Sequence, residues 1–244
     1  MGKTTKQLFI LMAVAAVCAV FTACGGGAKT SPTESPTATA TVALTDDANS
    51  ATETPTAQNP PGNEGIASGA LKGQMVMQDG GVIDFELYPE AAPNTVRNFV
   101  ELANSGYWDG TKIHRVVPNF VAQGGIAAGH VEGDEENAIA GEFAVNGWNN
   151  PLSHTRGVLS MARTDFYDSA FNQFFIVLND AAVPSLDRGY AAFGKVSEDG
   201  MEVVDAFVAS AQIMDDFGSV GNDIVVKTIR VDAPADYPKP TYVE

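Results

Sequence analysis

Three residues stand out as polar groups in strand-like, apolar surroundings: Arg115, Gln123 and Gln173. The first two lie in Ile113–Gly125, IHRVVPNFVAQGG, and the third in NQFFIVL, residues 172–178. Arginine is almost never fully buried without a partner, so Arg115 either pairs with a carboxylate or points into a cleft and meets a ligand. Other chemistry is poorly represented. His114, His130 and His154 do not sit at metal-ligand spacing, and no HExxH pattern occurs. Ser160 is not framed by GxSxG, as a hydrolase nucleophile would be. Asp134, Glu135 and Glu136 cluster in a polar stretch that reads as a solvated loop, and nothing marks a glycosidase carboxylate pair. GxGxxG and P-loop motifs are absent. Both cysteines, Cys18 and Cys24, lie in the first 24 residues, so the rest of the chain has no disulfide, thiol nucleophile or Cys-based metal site. Neither a metal nor a cofactor is expected. What remains is an apolar cleft with an aromatic floor, one arginine and two glutamines. Such a cleft suits a ligand that is apolar and carries amide groups.

The elements that must position these groups follow from periodicity. QMVMQ (74–78) and GVIDFELY (81–88) read as two strands joined at Asp79-Gly80, with Ile83, Phe85 and Leu87 on one face. A helix is predicted from Pro93, with Val96, Phe99, Val100 and Ala103 on one side and Gly106 as its stop. The 113–125 stretch reads as two short strands around Pro118-Asn119, and alternation there places His114 opposite Arg115. Residues 126–156 read as a long ordered loop, a feature that tends to be functional in a compact domain. Strands return at 157–162, 172–178 and 190–196, a helix at 200–210 and a closing strand at 223–231. In the 172–178 strand, Gln173, Phe175 and Val177 share one face, with Phe174, Ile176 and Leu178 on the other. Many strands with two separated helices predict a closed or sandwiched β architecture rather than βαβ units.

The chain has 244 residues and a net charge of −16. Residues 1–69 hold three lysines against five Asp and Glu, so the acidity belongs to the remainder. With no basic stripe, nucleic acid is not an expected partner. Lys3 and Lys6 precede the apolar run LFILMAVAAVCAVFTA, residues 8–23, which has the layout of an export signal and is short for a membrane span. FTAC followed by GGG resembles a bacterial lipoprotein processing site, with Phe21 where Leu is usual and Cys24 as the lipidated residue. Residues 1–23 are thus expected to be a lipoprotein signal peptide. Residues 24–69, rich in Thr, Pro, Ala and Ser, follow as a lipid-anchored flexible tether, and residues 70–244 as the folded domain. The domain is then expected outside the cytoplasm, held at the cell membrane, and nothing requires more than a monomer.

IHRVVPNFVAQGG, GVLSMAR, NQFFIVL and YAAFGKV, in this order and spacing, closely resemble the cyclophilin family of peptidyl-prolyl cis-trans isomerases over about residues 72–232. The resemblance implies a mainly β fold, a closed eight-stranded antiparallel barrel capped by two α-helices, with the active site on the outside. It places the catalytic arginine at Arg115. The proline pocket falls on Phe120, Val121 and Gln123, with Val where the family often has Met, and on Gln173, Phe175, Leu186 and Tyr190. The segment that pairs with the peptide backbone falls on Ala162, Arg163 and Thr164, with Arg163 where Asn is common. Phe171 stands where the family has a glycine, and Ser185 where many members have a Trp or Phe that aids cyclosporin binding, so weak cyclosporin binding is expected. The implied function is rotation about X-Pro bonds in exported or surface proteins, with no covalent step. A second class stays open on the departures at Val121, Arg163, Phe171 and Ser185: a low-turnover module that binds Pro-containing segments as a chaperone or scaffold. Loss of turnover without loss of peptide affinity in Arg115→Ala separates the two.

Overall fold

The computed structural model describes residues 69–126 and 137–243. The expected signal peptide, Cys24, nearly all of the tether, His130 and the Asp134–Glu136 cluster lie outside the described residues. Among the described residues there are eight strands: β1 (Leu71–Met77), β2 (Val82–Leu87), β3 (Ile113–Val117), β4 (Val121–Gly124), β5 (Val158–Met161), β6 (Phe174–Val177), β7 (Ala192–Val196) and β8 (Val226–Val231). All pairings are antiparallel, in the order β3-β4-β6-β5-β7-β2-β1-β8. Helices α1 (Pro93–Ser105) and α3 (Glu198–Ser210) match the two expected ones; a third, α2 (Val183–Leu186), has only four residues.

Local chemistry explains these elements. The β1–β2 turn is closed by Asp79, whose carboxylate accepts the Gly81 N–H at 3.0 Å, and Gly80 takes φ 97° as the tight turn requires. Helix α1 starts at Pro93 without a side-chain cap from Ala92 and stops at Gly106, which is left-handed at φ 78°. Its missing cap comes from far along the chain. The buried Glu142 carboxylate accepts the Asn94 N–H at 2.9 Å and the Thr95 N–H at 2.7 Å, joining the 137–157 loop to the positive end of the helix. Burial raises the Glu142 pKa, opposed by those two amides. In α3 the cap is local: Ser197 accepts from the Gly200 N–H.

The core lies on one side of the sheet, under α1 and α3. Phe99 of α1 is its centre, with ring centroids of Trp108 at 4.6 Å, Phe193 at 5.0 Å, and Phe85 and Phe174 at 5.8 Å. Ile83, Phe85 and Leu87 all turn inward, as alternation predicts. On β6 the two faces divide as expected. Phe174, Ile176 and Leu178 join this core, while Phe175 and Val177 join a second apolar cluster.

The expected closed barrel is not formed; the sheet is a curled half-barrel with β3 and β8 as its edges. These edges meet at the start of both strands, where Lys112 bridges Val225, the Ile113 N–H donates to the Ile224 carbonyl at 2.9 Å and the Val226 N–H donates to the Thr111 carbonyl at 2.8 Å. The rest of the β3 edge is taken by residues 218–220. Gly218 O accepts from Val116 N–H at 2.8 Å, Val220 N–H donates to His114 O at 3.0 Å, and Arg115 pairs with Ser219. A strand edge offers one row of amides and carbonyls, and here that row is already used, so β8 cannot zip along it.

Candidate active site

Strand β3 carries a bulge. Ile113 opposes Gly124 and Arg115 opposes Gln123, so His114 is an extra residue against β4. Strict alternation from the inward Ile113 would send Arg115 into the core. The bulge restores the count, so Val116 is buried with Ile113 and Arg115 emerges on the outer face. Asn119 at φ 60° turns the chain, and β4 returns with Val121 and Gln123 beside Arg115.

Arg115 is partly buried and held on two sides. Its Nε–H donates to the Phe217 carbonyl at 2.8 Å, and Nη1 to Gln123 Oε1 at 3.3 Å. Gln123 Nε2 donates in turn to Gln173 Oε1 at 2.9 Å. The three polar residues thus form one line across β3, β4 and the start of β6. Burial lowers the guanidinium pKa, opposed by Tyr190 and Asp215, and an arginine so placed stays charged at neutral pH. Burial also pushes the His114 pKa down to about 4, and the Arg115 charge adds to this.

Beside that line lies the second apolar cluster. Val121, Phe175 and Leu186 are buried, with Phe120, Ala162 and Tyr190 packed around them. Tyr190 meets Phe175 edge-on at 5.7 Å. Eight of the residues expected at the site therefore converge with Arg115 and Gln173 on one face: Phe120, Val121, Gln123, Ala162, Phe175, Leu186 and Tyr190, with Arg163 behind Tyr190. The Arg163 guanidinium sits 4.7 Å from the Tyr190 ring centroid and near Phe143 and Tyr167 as well, and it donates to the carbonyls of Gly189 and Thr164, both at 2.8 Å. Thr164 is turned to local work. Its N–H donates to Ser169 Oγ and its carbonyl accepts from Arg163, so it has less to offer a peptide than its neighbours. Phe171 does not intrude on the pocket. It packs against Tyr107, and its carbonyl accepts from Asn98. Ser185 is exposed on α2.

A further group beneath the pocket is not evident from the sequence. His154 Nδ1 lies 2.8 Å from Asp187 Oδ1, and its Nε2 lies 2.9 Å from Ser160 Oγ. Burial lowers the His154 pKa against the pull of Asp187, so the ring is neutral at pH 7, with its proton on the nitrogen facing the carboxylate. The spacing is that of a hydrolytic triad, but Ser160 is 0% and His154 1% exposed, so no substrate reaches the hydroxyl. The ring instead stacks on Phe175, 6.2 Å between centroids and 20° between planes, and supports the pocket floor. Its signal in sequence was only SHT ahead of GVLSM, since its partner Asp187 lies 33 residues away. A cavity of about 460 Å³ elsewhere on the surface, lined by Lys72, Glu86 and Lys195 among others, contains none of the site residues.

Comparison with known proteins identifies the family. Residues 73–231 match the family model described as cyclophilin type peptidyl-prolyl cis-trans isomerase/CLD. Peptidyl-prolyl cis-trans isomerase B of Bacillus subtilis is 45% identical over 130 residues, covering 53% of this chain and 85% of that protein. Peptidyl-prolyl cis-trans isomerase A of Dickeya dadantii is 44% identical, with 51% of this chain and 65% of the relative covered. Among solved structures, a cyclophilin type peptidyl-prolyl cis-trans isomerase from Cryptosporidium parvum superposes with a TM-score of 0.58 at 26% identity, over 68% of this chain and 99% of that one. A second crystal structure of that protein was obtained in the presence of the dipeptide Ala-Pro, with a TM-score of 0.56. Arg115 and its glutamines therefore sit on the sheet of a recognised enzyme family: the chain belongs to the cyclophilin-type peptidyl-prolyl cis-trans isomerases.

Proposed function

We propose that Arg115 catalyses rotation about X-Pro bonds, in proline-containing segments of exported or surface proteins, and so assists their folding outside the cytoplasm. The barrier to peptide rotation is about 18–20 kcal/mol because the nitrogen lone pair is delocalised into the carbonyl. X-Pro bonds keep a slow barrier while losing most of the trans preference, so both isomers matter. At the twisted transition state the proline nitrogen regains its lone pair. A donor aimed there stabilises the transition state more than either ground state, which is what catalysis requires.

The observation that carries this reading is the clamp on Arg115. The Phe217 carbonyl and Gln123 hold Nε and Nη1, which fixes the guanidinium plane beside the apolar cluster. A fixed plane needs no reorganisation when the lone pair appears. In the same reading, Phe120, Val121, Phe175 and Leu186 bury the proline ring, Tyr190 closes its side, and Gln123, steadied by Gln173, meets the peptide carbonyl. Ala162 and Arg163 supply the backbone edge for the peptide, with Thr164 contributing less because of its local bonds. The reaction moves no proton and forms no covalent bond, so it needs only shape and a placed donor.

For the cellular setting, the layout of residues 3–24 supports export and lipidation at Cys24, and the composition of residues 24–69 supports a tether between membrane and domain. The test of the activity is cis–trans exchange in an Ala-Pro peptide, followed by NMR with residues 70–244. Accelerated exchange supports an enzyme. Peptide binding with no acceleration would instead mark a binding module.

A further inference from the structure

Residues 212–222, between α3 and β8, form a hairpin that no part of the chemistry above uses for its side chains. It is built firmly. Ile213 bridges Val220, Gly221 N–H donates to Gln212 O at 2.8 Å, and Met214 N–H to Ser219 O at 2.9 Å. At the tip, Asp215 Oδ1 accepts the N–H groups of Phe217 and Ser219, each at 3.0 Å. These bonds lower the Asp215 pKa, so the carboxylate is ionised at neutral pH. Yet this ordered tip presents large apolar side chains to solvent: Met214 is 69%, Phe217 56% and Ile213 41% exposed. Scattered apolar residues are ordinary on a surface, but three on one fixed hairpin joined to a ligand-binding line are the pattern of a contact surface.

The join is direct, because the Phe217 carbonyl is the acceptor for Arg115 Nε. A guanidinium N–H serving the proline nitrogen lies about 3 Å from it, which puts that nitrogen within about 8 Å of the Phe217 carbonyl. The next peptide Cα is about 3.8 Å further along the chain, within reach of a Phe or Met side chain. We infer that Met214 and Phe217 form a second subsite, which takes a large apolar side chain flanking the proline and disfavours an acidic one; this rests on the isomerase reading above. The hairpin's own charge sets the second half of the preference, against the pull of the Arg115 cation. Asp215 and Asp216 sit at the tip, and residues 211–222 contain no Lys or Arg. Because the hairpin is held by its own bonds, an incoming side chain meets a surface that needs no ordering.

The test compares peptides that share one Ala-Pro core and carry Leu, Ser or Glu on either flank. The expected result is a kcat/KM for Leu over Ser of about fivefold at one flank, with Glu below Ser, within the range set by one apolar contact. In Phe217→Ser the Leu-to-Ser ratio is expected to fall to within twofold of unity, and Phe217→Leu to restore most of it. The ratio is read within each variant, so a general loss of activity does not mimic the effect. No flank preference in the native protein overturns the subsite, as does a preference that survives both Phe217→Ser and Met214→Ser. An equal fall for all peptides in Phe217→Ser also overturns it, since the hairpin then acts only through the arginine. If no peptide is turned over, the isomerase reading fails by itself, and the same ratios read as Kd by titration still decide the subsite.

Discussion

Removing the Arg115 guanidinium is expected to separate catalysis from binding in this site. Nε and Nη1 of Arg115 are engaged by the Phe217 carbonyl at 2.8 Å and by Gln123 at 3.3 Å, which fixes the guanidinium plane, and in the proposed reading its other N–H groups serve the proline nitrogen. A preorganised donor at a developing lone pair or charge is worth about 10²–10³ in rate. Arg115 is only partly buried, and water weakens its field, which argues for the lower end. Arg115→Ala is therefore expected to lower kcat/KM by about 10²-fold, equivalent to about 2.7 kcal/mol. Arg115→Lys should recover little. One ammonium cannot satisfy both holding groups and still present a donor in the same plane, so about a tenth of native activity is the expected ceiling. If the apolar cluster of Val121, Phe175 and Leu186 holds the proline ring as proposed, peptide affinity should change by less than about threefold. The assay is exchange NMR on an Ala-Pro peptide, with affinity read by titration on the same samples. Turnover in Arg115→Ala within threefold of native would refute the donor role. A parallel loss of affinity would show that the arginine binds the ground state instead.

Other expectations follow from groups outside the pocket. Glu142→Ala leaves two amides at the start of α1 without their acceptor and is expected to cost about 2–4 kcal/mol, or about 6–12 °C in Tm; a melt within 2 °C of native would overturn the capping role. His114 has a folded pKa of about 4 against an ordinary 6.5, so the unfolded chain takes up its proton first. Its contribution is fully present above pH 6.5 and is lost as pH falls toward 4, by about 3 kcal/mol. Denaturant melts at pH 7, 5.5 and 4 should show a smaller pH slope in His114→Asn than in the native protein; equal slopes count against the assignment. Cyclosporin should bind weakly, because Ser185 gives no aromatic surface on α2, and nanomolar inhibition would sink this.

What could be read from the sequence was what depends on local periodicity. The β1–β2 turn, both long helices and the two-faced β6 follow from spacings of two or three to four residues, and the structure bears them out. In the 113–125 stretch the same periodicity marks Arg115 as out of place, while the roles of Arg115, Phe120, Val121 and Gln123 follow from the resemblance to the cyclophilin family. The bulge at His114 was not legible, because an extra residue leaves no mark in a hydrophobic pattern; its only hint is an arginine where alternation demands an apolar side chain. The open edge leaves no mark in the sequence, because closure depends on pairing between β3 and β8, over a hundred residues apart, and the competitor for that edge is the 212–222 hairpin. Glu142 was hidden in a polar loop. Its role depends on the Pro93 end of α1, 47 and 48 residues away, and on nothing near it.

The support under the pocket explains how walls from separate segments keep one shape. Phe175 belongs to β6, while Leu186 and Tyr190 come from the short α2 and the turn after it, which has few bonds of its own. Asp187 lies between them and accepts from Ser153 Oγ at 2.7 Å, from the His154 N–H at 2.8 Å and from the His154 ring at 2.8 Å. The ring reaches on to Ser160 in β5, the strand paired with β6. His154 and Ser160 are buried, so breaking the bond between them leaves a donor or acceptor stranded at low dielectric. The turn is thereby held in register with the sheet, and the pocket proposed for proline would inherit its rigidity from a histidine that is itself 1% exposed.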